Sequence, residues 1–325
     1  MRDRNPVLLS PSAKDYLWGG SRLREDFNLD MPVMPFAEAW VCSTHPDGQS
    51  TVVSTGENLG DVLKRHPEWL GSHAASLNNG ELPILIKLID AKKDLSVQVH
   101  PDDKYAAKHE NTLGKTEMWY VLDANQESSL IYGFNRDVNQ DQVRNAIQNK
   151  RVEKLLNHVS VKKNDLYFIE AGTVHAIGGG CLIAEIQENS NLTYRLYDYD
   201  RSDKNGNKRE LHIDKALAVA NMKSSAVPRQ PMRILKYKPG FASELLTRCK
   251  YFQVERILLN SKGRESADFK TESNSFHVLL CVEGSGTIFG EDVNISFQKG
   301  NCIFVPAESE VLQLEGQAQI LNVSC

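Results

Sequence analysis

The sequence predicts a mainly β protein with inserted helices, built as two barrels in series, the first of which carries a metal site. Three observations lead there. Short runs rich in branched and aromatic residues recur at residues 84–89, 96–100, 118–122, 166–169 and 182–187, which is the composition of strands that bury at least one face. Only a few segments carry apolar residues at helical spacing. Beyond the punctuated stretch Val227-Pro228-Arg229-Gln230-Pro231 the chain turns almost wholly β-like, which divides it into residues 1–230 and 231–325. A chain of 325 residues is long enough to bury a core in each unit.

The expected helices interrupt the strands of the first unit. Residues 58–70 place Leu59, Val62, Leu63 and Leu70 near one face, and residues 139–159 do the same with Val143, Ile147, Val152, Leu155 and Leu156. Residues 212–222 form a third candidate, and Pro101 suits the first turn of a short helix over residues 102–109.

Composition excludes several function classes. Hydrophobic residues at 41% and charged ones at 25% are ordinary for a globular protein, and a net charge of −4 with both signs interspersed argues against a nucleic-acid partner. No apolar stretch approaches the ~20 residues that cross a bilayer, and residues 1–6 show no apolar leader. The six cysteines include no C-x-x-C pair and sit mostly in apolar runs, which reads as buried free thiols in a reducing compartment. A cytoplasmic protein is expected; the sequence leaves its oligomeric state open.

Chemistry concentrates in two segments far apart. In Leu95-Ser96-Val97-Gln98-Val99-His100-Pro101-Asp102, the side chains of Gln98 and His100 share one face of a strand while Val97 and Val99 take the other. Glu117 opens the apolar run 118–122, and His175 follows a turn containing Gly172. Paired strands would bring Gln98, His100, Glu117 and His175 to one point. Two imidazoles, a carboxylate and an amide oxygen suit zinc or another divalent first-row ion. A lone histidine in a strand is more often a structural residue, so the combination carries the reading. The pattern resembles the two-part metal signature of cupins, small jelly-roll barrels. It differs in having Gln98 where a first His often stands, Asn164 for the first Gly of the second segment and Glu170 for its Pro. The run 276–286 followed by 299–307 looks like a second cupin barrel without ligands, with His277 packed inside it or at its rim.

The segment 184–201, with its Thr193-Tyr194-Arg195-Leu196-Tyr197-Asp198 core, joins Tyr16-Leu17-Trp18-Gly19-Gly20, Ala37-Glu38-Ala39-Trp40, the run 82–90, Gln98-Val99-His100-Pro101-Asp102 and Gly114-Lys115-Thr116-Glu117-Met118. Together they resemble type I mannose-6-phosphate isomerases in their short bacterial form, from near Tyr16 to the C-terminus. The resemblance implies interconversion of mannose 6-phosphate and fructose 6-phosphate at one zinc ion (Zn2+) per chain, with a small sugar phosphate as partner. It implies Arg195 as the cation beside the enediol oxygens, and Glu185 or Lys115 as the base, with no choice between them. It also implies Lys87, Ser96 and Arg201 at the phosphate. The residues themselves add that Lys87 lies in an apolar strand and needs a partner anion, and that Ser96 shares the face of Gln98 and His100. Arg201 is open to a plain ion pair with Asp200 or Asp203. A non-catalytic sugar-binding cupin and a metal-dependent oxygenase are the competing readings.

Overall fold

The computed structural model describes residues 4–202, 205–226, 228, 230–261 and 266–325. It is mainly β, in antiparallel sheets of the cupin type. Two sheets form the first unit. The six-stranded one runs in the order Leu166–Ile169, Glu117–Ala124, Cys181–Glu188, Ile84–Ala91, Glu38–Cys42, Ser12–Lys14, and the five-stranded one in the order Tyr194–Tyr197, Val97–Val99, His175–Ile177, Ser129–Phe134, Leu156–Ser160. The five strands expected at residues 84–89, 96–100, 118–122, 166–169 and 182–187 are each present within two residues of those bounds.

Side-chain alternation decides what each face does. On the six-stranded sheet Ile84, Ile86, Leu88, Met118, Tyr120, Ala184 and Ile186 pack outward into a large core shared with the C-terminal strands. The alternate residues Ile89, Trp119, Val121, Tyr167 and Ile183 point inward and meet Leu130 and Ile177 of the five-stranded sheet. The outer face of that second sheet, with Val97, Val99, Ile131, Val174 and Ala176, is covered by Val143 and Ile147 of helix Gln140–Gln148 and Ala216 and Leu217 of helix Ile213–Val219. The metal-ligand candidates therefore lie between two sheets, each backed by an apolar layer.

The helices differ from expectation at their ends. Helix Leu59–Arg65 stops before Pro67, which opens a short 3-10 turn, Pro67–Trp69, because proline lacks the amide a continuing helix needs. Helix Gln140–Gln148 starts on a capping box between Asn139 and Gln142, but it does not continue to residue 159. Lys150 takes a positive φ of 54°, and residues Leu156–Ser160 pair with strand Ser129–Phe134, so local helical spacing yields to sheet pairing. The short helix after the ligand strand spans Asp103–His109, with Asp102 as its N-cap accepting from the Tyr105 amide at 2.8 Å. That leaves Pro101 one residue outside it.

The C-terminal strands belong to a ten-stranded sheet whose path includes His277–Phe289, Cys302–Val305 and Leu312–Ser324. Val278, Leu280 and Val282 face the shared core, while Leu279 and Cys281 face a second core with Ile257, Phe297 and Ile320. Strand Val7–Ser10 pairs with Cys302–Val305 and with Thr51–Val52, so residues 7–10 are stitched into the last sheet. Val227 and Arg229 of the expected boundary lie outside the described residues. His277 is partly buried, with Nδ1 2.7 Å from Asn322 Oδ1. All six cysteines are free, and four are buried. Among the described residues no helix is long and apolar enough to cross a membrane.

The shared core is where the units hold each other. Phe304 stacks on Phe276 at 5.1 Å and Trp69 at 6.4 Å between ring centroids. We expect Phe304→Ala to cost about 3–5 kcal/mol in urea unfolding, with metal content of the folded fraction unchanged because the ring lies outside the ligand barrel.

Candidate active site

Three elements bring the ligand candidates together. Gln98 stands directly opposite His175 in the strand pairing, His100 follows one residue past strand Val97–Val99, and Glu117 is the first residue of strand Glu117–Ala124. The turn before His175 depends on Gly172, whose positive φ of 88° lets its amide reach the His100 carbonyl at 2.8 Å. Asn164, in the position where the cupin signature has a glycine, also takes a positive φ, 71°. Asparagine tolerates that conformation better than other non-glycine residues, which explains why the substitution leaves the turn intact.

His100 Nε2 lies 2.8 Å from Glu117 Oε1 and 3.1 Å from His175 Nε2, and His175 Nε2 lies 3.4 Å from the same carboxylate oxygen. Each ring's Nδ1 faces a backbone carbonyl, Leu192 O at 2.9 Å for His100 and Thr173 O at 2.8 Å for His175. Those contacts put the proton on Nδ1 and leave the Nε2 lone pair free. Burial, followed by repulsion from Lys115, holds the His100 imidazolium form back to a pKa of about 3. Two lone pairs and a carboxylate oxygen without a hydrogen-bond partner thus converge in a dry place. A divalent cation satisfies all three, and the donor set fits it. The Gln98 amide nitrogen sits 3.4 Å from His175 Nε2; turning the amide about its axis presents the oxygen as a fourth donor.

Beside this cluster a single row crosses the whole six-stranded sheet: Ser12, Trp40, Lys87, Glu185, Trp119 and Tyr167 are successive cross-strand partners. Lys87 Nζ lies 2.9 Å from Glu185 Oε1 and 3.9 Å from Glu38 Oε2, so the anion that a buried lysine requires is present. Trp119 Nε1 donates to Glu185 Oε2 at 2.9 Å and leans toward Glu117 Oε2 at 3.3 Å. Burial, then the Glu117 charge, lifts Glu185 to about 7 against the pull of Lys87 and Lys115. Burial would raise Glu117 too, but Lys115 and His100 outweigh it and hold it well below the usual carboxylate range. Lys115 is buried, has no hydrogen-bonded or ion-paired partner among the described residues, and is lowered by desolvation and by Lys87.

A cavity of about 240 Å³ opens on these groups and is lined by Gln98, Lys115, Glu185, Ser96, Arg195 and Arg209, among others. Arg195 pairs across from Gln98; its Nε lies 3.3 Å from Ser96 Oγ, and its Nη1 donates to the Glu210 carbonyl at 2.9 Å. Lys87 lines the cavity as well, bound to its two carboxylates. Arg201 does not line it. Its Nη2 lies 2.5 Å from Asp198 Oδ1, its Nη1 bonds the Asp94 carbonyl, and its guanidinium covers the Tyr199 ring at 5.0 Å. Asp200 pairs instead with Lys150 and Lys208, and Asp203 lies outside the described residues. Sequence reasoning missed Glu38, Trp119 and Arg209. Glu38 was visible as a carboxylate in an apolar run, the signal that singled out Lys87. Arg209 sits where no strand or helix pattern places it.

Residues 7–133 match the catalytic domain of type I phosphomannose isomerases, and residues 243–325 match the cupin domain of mannose-6-phosphate isomerases. The chain is 35% identical to the mannose-6-phosphate isomerase ManA of Bacillus subtilis over 97% of this chain and 98% of that one. It is 34% identical to the mannose-6-phosphate isomerase of Streptococcus mutans, over 97% of each. A crystal structure of the mannose 6-phosphate isomerase from Bacillus subtilis superposes with a TM-score of 0.88 at 33% identity, covering 98% of this chain and 99% of that one. A mannose 6-phosphate isomerase solved with zinc and yttrium shares the fold at a TM-score of 0.75 and 17% identity, over 98% of each chain.

The barrel core does not include the ligand side chains, so His100→Ala and His175→Ala are each expected to lose most bound metal while keeping a native far-UV spectrum. Metal analysis beside circular dichroism checks this; a full complement of metal in either variant would remove that residue from the ligand set.

Proposed function

The chain belongs to the type I phosphomannose isomerase family, and from that premise we propose that it interconverts mannose 6-phosphate and fructose 6-phosphate with zinc held by Gln98, His100, Glu117 and His175. The observation that carries the reading is the convergence of two deprotonated imidazole nitrogens and a partnerless carboxylate oxygen beside a cavity lined by both cations and a carboxyl that titrates near neutrality. Nitrogen and oxygen donors in this number support zinc among the divalent ions. When bound, such an ion polarises the sugar's carbonyl and hydroxyl oxygens. The six free thiols support a reducing, cytoplasmic setting.

The chain's own groups divide the remaining work. Moving a proton from C2 to C1 of the open-chain aldose needs a base that is ionised in one half-reaction and protonated in the next. Glu185, at about 7, meets the requirement that a general base titrate near the operating pH. Lys87 and Trp119 each hold one of its oxygens, which fixes the carboxyl on the rigid row of the sheet. Lys87 thus reads as the group that orients the base. Lys115, which lines the cavity and has no ion-paired partner among the described residues, and Arg195 meet the negative charge that develops on the enediol oxygens. Ser96, two residues from Gln98 on the same strand face, lines the cavity and is the hydroxyl assigned to the sugar's phosphate end.

A coupled isomerase assay on metal-stripped and zinc-reloaded protein tests the activity: turnover must vanish and return. Deuterium taken up from solvent at the transferred position during turnover would support proton transfer through a base such as Glu185 over a direct hydride shift. For Arg195→Ala we expect kcat to fall by about 10²-fold or more with a smaller change in KM, since the ground-state oxygens carry little charge for it to meet. Arg195→Lys should recover little of this, because an ammonium cannot span two oxygens with a fixed fork.

The pH profile carries its own sign. A base is active when ionised, so the rate should fall as pH drops through the Glu185 value of about 7 and level off above it. In Glu185→Gln that acid limb should disappear along with most of kcat. A limb that persists unchanged in a residually active Glu185→Gln would move the base role to Lys115.

A further inference from the structure

We propose that Arg209, held in place by Asp198, is the side chain that grips the phosphate of the substrate. This rests on the sugar-phosphate reading of the cavity and adds to it the residue that selects a phosphorylated sugar. Arg209 lines the same cavity as Lys115, Ser96 and Arg195, and Arg201 does not. Its Nε lies 2.9 Å from Asp198 Oδ2 and its Nη2 lies 2.6 Å from Asp198 Oδ1. That bidentate grip occupies one edge of the guanidinium and fixes its plane, while Nη1 keeps its donors without a partner among the described residues.

The charges around it are out of balance. Among the described residues Arg195, Arg201 and Arg209 gather about a single carboxylate, Asp198, whose pKa is driven down by the two arginines it bonds once burial is overcome. Arg195 has no carboxylate within ion-pair distance among the described residues, and its guanidinium is disfavoured first by desolvation and then by the nearby Arg209. Like charges crowded into a partly dry site lack an anion. A phosphate monoester, with a second pKa of about 6, supplies close to two negative charges near neutral pH and three acceptor oxygens.

The position suits the length of the substrate. His100, Gln98 and Ser96 succeed one another along one strand face, and Arg195 reaches Ser96 from the neighbouring strand. Arg209 comes in from the chain that leads into helix Ile213–Val219 and lines the same cavity as Arg195 and Ser96. A six-carbon chain whose C1 and C2 sit at Glu185 places its phosphate toward this end. Asp198 is then a positioning residue, because it touches Arg209 and not the sugar.

Steady-state kinetics with mannose 6-phosphate, together with competitive inhibition by inorganic phosphate, test the assignment in Arg209→Ala, Arg209→Lys, Arg201→Ala and Asp198→Asn. Loss of one charge-assisted contact should raise KM and the phosphate inhibition constant roughly ten- to a hundredfold in Arg209→Ala, with kcat falling less. Arg209→Lys should recover part of both, and Asp198→Asn should shift KM in the same direction by a smaller factor. Unchanged KM and phosphate inhibition in folded Arg209→Ala, or in Arg209→Lys if the alanine variant does not fold, would overturn the proposal. So would a rise in Arg201→Ala equal to or greater than that in Arg209→Ala. Calorimetric binding of phosphate separates this from the isomerase reading: a wild-type protein without turnover whose phosphate affinity still depends on Arg209 would defeat the reaction and leave the site.

Discussion

Five charged side chains buried on the inner side of one sheet set the terms for the rest of the molecule. Glu38, Lys87, Lys115, Glu117 and Glu185 are 7%, 3%, 4%, 0% and 4% exposed. Removing each from water costs several kcal/mol even after the protein relaxes, and their mutual attractions offset that only when the geometry is fixed. The structure fixes it from both sides. Lys87 and Glu185 are cross-strand partners flanked by Trp40 and Trp119 in the same row, so neither side chain can swing away without displacing an indole. The two imidazole Nε2 atoms and the partnerless Glu117 Oε1 converge among these groups, and a dication is what such a donor set holds best.

A barrel with a charged interior needs its stability from elsewhere, and the layers outside supply it. The outward face of the six-stranded sheet is largely apolar and packs on the C-terminal strands, while the outward face of the five-stranded sheet packs on two helices. Pairing of Val7–Ser10 with Cys302–Val305 ties the ends of the chain into that arrangement. The C-terminal strands contribute none of the metal-ligand candidates, which fits a role as the apolar backing that lets the first barrel afford its ions.

What the sequence revealed and what it concealed divide along physical lines. Strands that alternate or run continuously apolar were legible because the period of two is local, and Gln98 with His100 followed from the same rule. The end of helix Gln140–Gln148 was not, because whether residues 156–160 continue a helix or join strand Ser129–Phe134 depends on a partner distant in the chain. The same limit applies inside the site. Lys87 announced that it needed an anion, but only the register of three strands identifies Glu185 as that anion. Arg201 follows Asp200 and Arg209 precedes Glu210, so nothing local separates the two, and the choice between them is made by Asp198, which binds both and turns one toward Tyr199 and the other toward the cavity.

That choice also separates two kinds of precision within one cavity. The groups proposed to move the proton and meet the developing charge lie on or directly beside strands, with rotamers limited by packed indoles and paired carboxylates, as befits atoms whose placement within a fraction of an ångström decides the rate. The group proposed for the phosphate lies on a connecting segment and is oriented by one carboxylate. Such an anchor tolerates more motion, since a dianion is attracted over a longer range than a proton can be transferred. On that proposal, binding energy gathered at the remote end would serve the reacting end by holding C1 and C2 against Glu185, so that an interaction several bonds from the chemistry would lower the barrier without touching it.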